Sequence, residues 1–160
     1  MKAVLKIAGE LPIKFIQIEH VIEMKQIFIN LPVKNVDASM NFYTQLGFTV
    51  NPLFTFDDQK CMVWSDSIYV MLQDMEKLKT GNKKNIADPQ KNTIATFTLP
   101  VESIDRLNEI IEKGLKAGGT EPGQALDEGF MQIRNIEDLD GHNWGIICLD
   151  IDKFKLMRGK

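Results

Sequence analysis

Histidine is almost missing from this chain: two among 160 residues, His20 and His142. A metal or acid-base centre built on imidazole has little to draw on. Cysteine is equally scarce, with Cys61 and Cys148 each in strand-like apolar surroundings, where the thiol reads as a small buried hydrophobe rather than a redox pair. There is no serine nucleophile elbow, no glycine-rich phosphate loop, and no cysteine and histidine spaced as a catalytic pair. Charged residues, 19 basic and 22 acidic for a net charge of −3, are scattered without long runs of one sign. The footprint expected for nucleic acid or an anionic membrane is therefore lacking. No apolar run is long enough to span a bilayer, and Lys6, Glu10 and Lys14 interrupt the N-terminal apolar residues before they form a signal core. The expected location is the cytoplasm. A chain of this length with 44% apolar residues buries about two-thirds of its unfolded surface and needs no staple.

What the chain does have is one pattern stated twice. Leu31 opens LPVKNVDASMNFYTQLGFTV and Leu99 opens LPVESIDRLNEIIEKGLKAGGTEP; a constant offset pairs Val33 with Val101, Asn35 with Ser103, Val36 with Ile104 and Asp37 with Asp105. In each copy a short apolar strand leads to a helix-capping side chain, and an acid follows in the first turn, where the helix dipole favours it. Apolar residues then recur at helical spacing, Val36, Met40 and Tyr43 in one and Ile104, Leu107 and Ile111 in the other, until glycine stops each helix at Gly47 and Gly118-Gly119. The second helix is read as about one turn longer. Internal repetition of this kind points to two copies of one module.

The remaining segments fill out each copy. Ile27, Ile29 and Leu31 share the strand face that the helix should cover, opposite Phe28 and Asn30. Strands are expected at Phe48–Phe56, Cys61–Trp64 and Ile68–Gln73, with turns at Asp57-Asp58 and Ser65–Ser67. The second copy starts at Thr93, with Ala95, Phe97 and Leu99 toward its helix, and continues through Glu121–Leu126, Phe130–Ile136 and, after the Asp140-Gly141 turn, Asn143–Asp150. The fold class is α+β: two βαβββ modules whose curved mixed sheets enclose a cavity. Residues 1–23 form an N-terminal appendage and 24–152 one domain, divided into a first module (25–73), a polar, lysine-rich linker (74–91) with a helical turn near Asp74–Lys79, and a second module (92–152). A short basic tail (153–160) ends the chain.

Two stretches carry a family resemblance. Val33–Val36 with Ser39 and Phe42–Phe48 resembles the strand-helix-strand opening of the vicinal oxygen chelate superfamily, the glyoxalase, bleomycin-resistance protein and extradiol dioxygenase group. Asp138-Leu139-Asp140-Gly141-His142-Asn143-Trp144 is similar to its Asp-Pro-Asp-Gly-Asn/His-x-Trp-Glu turn. The resemblance spans about Lys25 to Asp152. It implies a homodimer and, in the family's enzymes, a divalent metal held by His, Gln or Glu from four strands. The matching positions here are Phe28, Met71, Thr96 and Gly145, none of them a ligand for such an ion. No metal and no cofactor are therefore expected. His142 reads as a surface or turn residue, and Asp138 and Asp140 as shaping the turn.

The face left for a ligand collects Phe28, Asn30, Tyr69, Met71, Gln73, Thr96 and Thr98, apolar and aromatic with neutral hydrogen-bonding groups. Gln132 and Arg134 share one face of the seventh strand, and their side, inner or outer, is left open by parity. The function expected is metal-independent binding or sequestration of a small, partly aromatic molecule. The alternatives are a divalent-metal lyase, isomerase or dioxygenase of the family type, and a structural or regulatory dimer whose cavity is filled.

Overall fold

Asn35 does in space what its sequence position predicts: its Oδ1 accepts from the backbone N–H groups of Asp37 (3.1 Å) and Ala38 (3.0 Å). Helix α1 (Val36–Leu46) then runs to Gly47, whose φ of 107° is a left-handed conformation that disfavours any side chain. Ser103 repeats the cap for α3 (Ile104–Lys116), its Oγ accepting from Arg106 N at 3.1 Å, and Gly118 follows with φ 102°. With 13 residues against 11, α3 is about half a turn longer than α1, not the full turn expected.

The computed structural model describes residues 25–81 and 83–159. The N-terminal appendage, residues 1–23, lies outside them. Among the described residues eight strands form two four-stranded mixed sheets, with β1 (Ile27–Val33), β2 (Thr49–Val50), β3 (Gln59–Ser65) and β4 (Ile68–Asp74) in one. The other holds β5 (Thr96–Val101), β6 (Leu126–Asp127), β7 (Met131–Glu137) and β8 (Asn143–Leu149). Their orders are β1-β4-β3-β2 and β5-β8-β7-β6, one plan used twice. In each sheet the module's first strand lies parallel to its last, β1 to β4 and β5 to β8, and the other pairings are antiparallel. Among the described residues no strand pairing joins the two sheets, so they are not closed into a barrel.

Both helices lie on the same side and pack against each other. Between them and the sheets sits one continuous core: Leu31, Val33, Val70 and Leu72 from the first sheet meet Leu99, Ile136, Trp144 and Ile146 from the second through Phe42, Tyr43, Ile110 and Ile111 of the helices. The approach of α1 to α3 is close enough that a Cβ on Gly114 would stand 2.9 Å from Leu46 Cδ2 and 3.1 Å from Ile136 Cγ1. Small size, not backbone freedom, is what this glycine contributes.

Three elements depart from the sequence reading. The expected strand Phe48–Phe56 is cut to Thr49–Val50 because Pro52, which lacks an N–H for the ladder, starts a single 3-10 turn (Pro52–Phe54) capped by Asn51. The strand expected at Glu121–Leu126 shrinks to Leu126–Asp127, preceded by an isolated bridge from Thr120 to Glu137, since Pro122 and Gly123 break it. The C-terminal stretch forms a helix, α4 (Ile151–Arg158), whose cap Asp150 accepts from Lys153 N at 2.9 Å. The linker does hold a short helix, α2 (Met75–Gly81). Among the described residues no helix is long and apolar enough to cross a membrane.

Candidate ligand cavity

The two modules are tied together by the turn between β7 and β8. Asp138 Oδ1 accepts from the backbone N–H groups of Asp140 (3.0 Å) and His142 (2.8 Å), while its Oδ2 receives the Tyr43 hydroxyl of α1 at 2.7 Å. Tyr43 in turn accepts from Trp144 Nε1 at 2.9 Å. Asp140 takes the backbone N–H of Lys34 (3.1 Å) and faces the Ser39 hydroxyl (3.4 Å). His142 Nε2 lies 2.8 Å from the carbonyl oxygen of Pro32. Asp138, Asp140 and His142 are only 6%, 3% and 5% exposed, so both aspartates do shape the turn as expected. His142 is buried rather than at the surface.

Electrostatics follow from that burial. Desolvation, then the charge and hydrogen bond of Asp138, push the Tyr43 hydroxyl well above the usual phenol range, so it stays a donor to Asp138. Desolvation also raises the Asp140 carboxyl above its ordinary value, against the opposing bond from Lys34 N–H. Burial alone pushes the Cys61 thiol up, which keeps it protonated and unreactive.

Beside this turn the linker crosses the gap between the modules and leaves a cavity of about 460 Å³ beneath it. Leu31, Pro32, Ile86, Ile94 and Phe97 supply apolar wall; Asn30, Asn85, Asn92, His142 and Asn143 supply neutral polar groups; Lys84 and Glu137 contribute one charge of each sign. Residues 89 and 90 lie so close to the turn that a Cβ on Gly141, itself at φ 96°, would meet the backbone of Gln90 and Pro89 at 2.9 to 3.0 Å. The Oδ1 atom of Asn143 is shielded from solvent and has no hydrogen-bond partner.

Of the residues singled out from sequence, Asn30 lines this cavity. Phe28, Tyr69, Met71 and Gln73 share the helix-free face of the first sheet with Asn30, as the pairings Phe28 to Tyr69 and Asn30 to Met71 require. Phe28 and Tyr69 stack at 4.7 Å, and Phe28 is 44% exposed. Thr96 and Thr98 take the equivalent face of the second sheet, opposite Asn143 and Gly145. Gln132 and Arg134 do not join them: their partners Cys148 and Ile146 put both on the helix side. There Arg134 grips Glu121 with Nε (2.8 Å) and Nη2 (2.7 Å) and gives Nη1 to Asn108. That pairing holds the Glu121 carboxyl below and the Arg134 guanidinium above their ordinary ranges. The sequence reading missed His142, Asn143, Lys84–Ala87 and Pro89 of the linker and Asn92–Ala95 after it as cavity wall; the turn motif signalled the first two, but their burial needs the linker's path.

Comparison with known proteins decides the fold's kinship. The family model described as bleomycin resistance protein-like N-terminal matches residues 25–65. Among solved structures, a hypothetical protein from S. aureus superposes with a TM-score of 0.68 at 18% identity, covering 78% of this chain and 93% of that one. A glyoxalase-related enzyme from Fulvimarina pelagi gives 0.66 at 18% identity, covering 78% and 88%. A glyoxalase/bleomycin resistance protein/dioxygenase family enzyme from Burkholderia phytofirmans PsJN gives 0.61 at 12%, covering 76% and 96%. The chain has the vicinal oxygen chelate fold. A search of the curated proteins gives no match.

The metal implied by the resemblance to the superfamily does not fit the residues present. Phe28 and Gly145 offer no donor atom, Met71 only a soft thioether and Thr96 a neutral hydroxyl. At Gly145 the room for a ligating side chain is already taken, since a Cβ there would stand 3.2 Å from both Thr98 Oγ1 and Ile133 Cδ1 and 3.3 Å from Asn135 Oδ1. Among the described residues no group of three or more His, Cys, Asp or Glu side chains could hold a metal ion.

Proposed function

We propose that this vicinal oxygen chelate chain is a metal-independent small-molecule-binding protein, which holds a small, partly aromatic ligand in the cavity between its modules. The observation that carries the reading is the cavity itself: about 460 Å³, within the size range of ligand pockets, with mostly apolar walls that include Phe97, several neutral amides and one charge of each sign. The chemistry at Phe28, Met71, Thr96 and Gly145 supports binding without a metal. Protein purified without affinity tags or chelators is expected to contain no stoichiometric Ni, Zn, Mn or Fe and to leave the hemithioacetal of glutathione and methylglyoxal unconverted. Trp144, whose ring lies 5.0 Å from that of Phe97, should report saturable ligand binding by fluorescence, with Asn30→Ala weakening the response. Stoichiometric metal, removed by a chelator together with an activity, would overturn the reading.

The same reading takes the working form to be a homodimer. The stacked Phe28 and Tyr69 lie half open on the helix-free face, where a second copy would extend the site over Tyr69, Met71, Gln73, Thr96 and Thr98. Light scattering should give twice the chain mass at micromolar concentration. A monomer there refutes the dimer and leaves the cavity to act alone.

A further inference from the structure

His142 holds unused hydrogen-bonding capacity inside the cavity wall. The carbonyl oxygen of Pro32 can only accept, so His142 Nε2, 2.8 Å away, carries the ring proton. In the neutral ring Nδ1 is then left with its lone pair, and among the described residues no hydrogen bond reaches it. The main chain cannot swing this ring away, because His142 N–H is fixed to Asp138 Oδ1 and the residue is 5% exposed. The next residue, Asn143, has a side-chain Oδ1 that is shielded from solvent and without a hydrogen-bond partner. His142 thus brings an unmatched acceptor to the wall of a space whose other sides are mostly apolar, and the unpaired Oδ1 of Asn143, the first residue of β8, follows it in the same wall. Buried polar groups are ordinarily paired, and an unpaired one at a cavity wall marks where a ligand can supply the partner. Lys84 and Glu137, one charge of each sign, give the cavity no net preference for an ion.

We propose that the cavity selects uncharged molecules with a flat apolar body and an N–H or O–H group that donates to His142 Nδ1, with the Asn143 amide beside it. This rests on the reading of the cavity as a ligand site, and it adds the chemistry by which the ligand is chosen. Indole and benzofuran test it, being alike in shape while only indole can donate.

Each probe is titrated into the full-length, isotope-labelled chain, and amide resonances are followed by NMR. Indole should shift Ile94, Phe97 and Asn143 and bind about three- to tenfold more tightly than benzofuran, the range one hydrogen bond gives. In His142→Lys the ammonium can still donate to Pro32 and offers no acceptor, so the ratio should fall to about one. Equal affinity of the two probes in the wild type, at the same residues, overturns the donor preference and leaves the ligand site standing. A preference that survives His142→Lys unchanged places the acceptor elsewhere and also overturns it. If neither probe shifts cavity residues up to its solubility limit, the donor preference and the ligand-site reading fall together. Should His142→Lys fail to fold, the wild-type ratio still decides.

Discussion

Asp138→Ala is expected to lower the stability of the protein by about 5 kcal/mol. The Asp138 carboxylate accepts from the Tyr43 hydroxyl and from the backbone N–H groups of Asp140 and His142, and it is 6% exposed. Alanine strands all three donors where water cannot reach them. At about 1–3 kcal/mol for each buried group left unsatisfied, the sum is on the order of 5 kcal/mol. For a domain whose whole stability is about 5–15 kcal/mol, that loss takes between about a third and all of it. Asp138→Asn should lose less, because the remaining amide oxygen can still accept from the two backbone donors. The check is the denaturant midpoint by circular dichroism, and an alanine variant that melts with the wild type would refute the account of the turn.

Trp144→Ala should cost nearly as much, by a different route. The indole is fully buried, with Phe97 at 5.0 Å and Tyr43 and Phe48 at 5.8 Å between ring centroids, and its N–H binds the Tyr43 hydroxyl. Truncating a large aromatic in such a setting removes about 3–5 kcal/mol through lost transfer energy and the cavity left behind. Trp144→Phe keeps much of the packing and loses the bond. Combined with Tyr43→Phe, which loses the same bond, it should show a shortfall from additivity of about 1 kcal/mol, as expected of residues sharing one interaction. Strict additivity in paired denaturation curves would mean the indole N–H contributes nothing to stability.

These two residues also mark where the sequence stopped being informative. Local chemistry was readable: Asn35 and Ser103 cap their helices, Gly47 and Gly118 take the left-handed conformation that ends them, and alternation placed Leu31 and Phe28 on opposite faces. Each depends on neighbours a few residues away. The site depended on distant ones. Gln132 and Arg134 share a face by parity, but only the register against Cys148 and Ile146 shows that it is the helix face, where Glu121 engages the guanidinium. His142 carried a turn signature, yet its burial follows from contact with Pro32, more than a hundred residues earlier. Pro52 and Pro122 were visible as strand breakers, and the longer strands drawn through them gave apolar alternation more weight than the missing N–H.

The bond from Tyr43 to Asp138 has a consequence for how the protein is made. When the first module leaves the ribosome it already holds Tyr43 and Ser39 on the buried side of α1, while the carboxylates that receive them, at Asp138 and Asp140, are still to be added. A chain stopped after β4 therefore buries a phenol and a hydroxyl without acceptors, or keeps that side of α1 in water. Synthesis must pass Trp144 before the first module can settle into its native packing. Protease resistance measured on stalled nascent chains should accordingly appear in one step, late, rather than module by module.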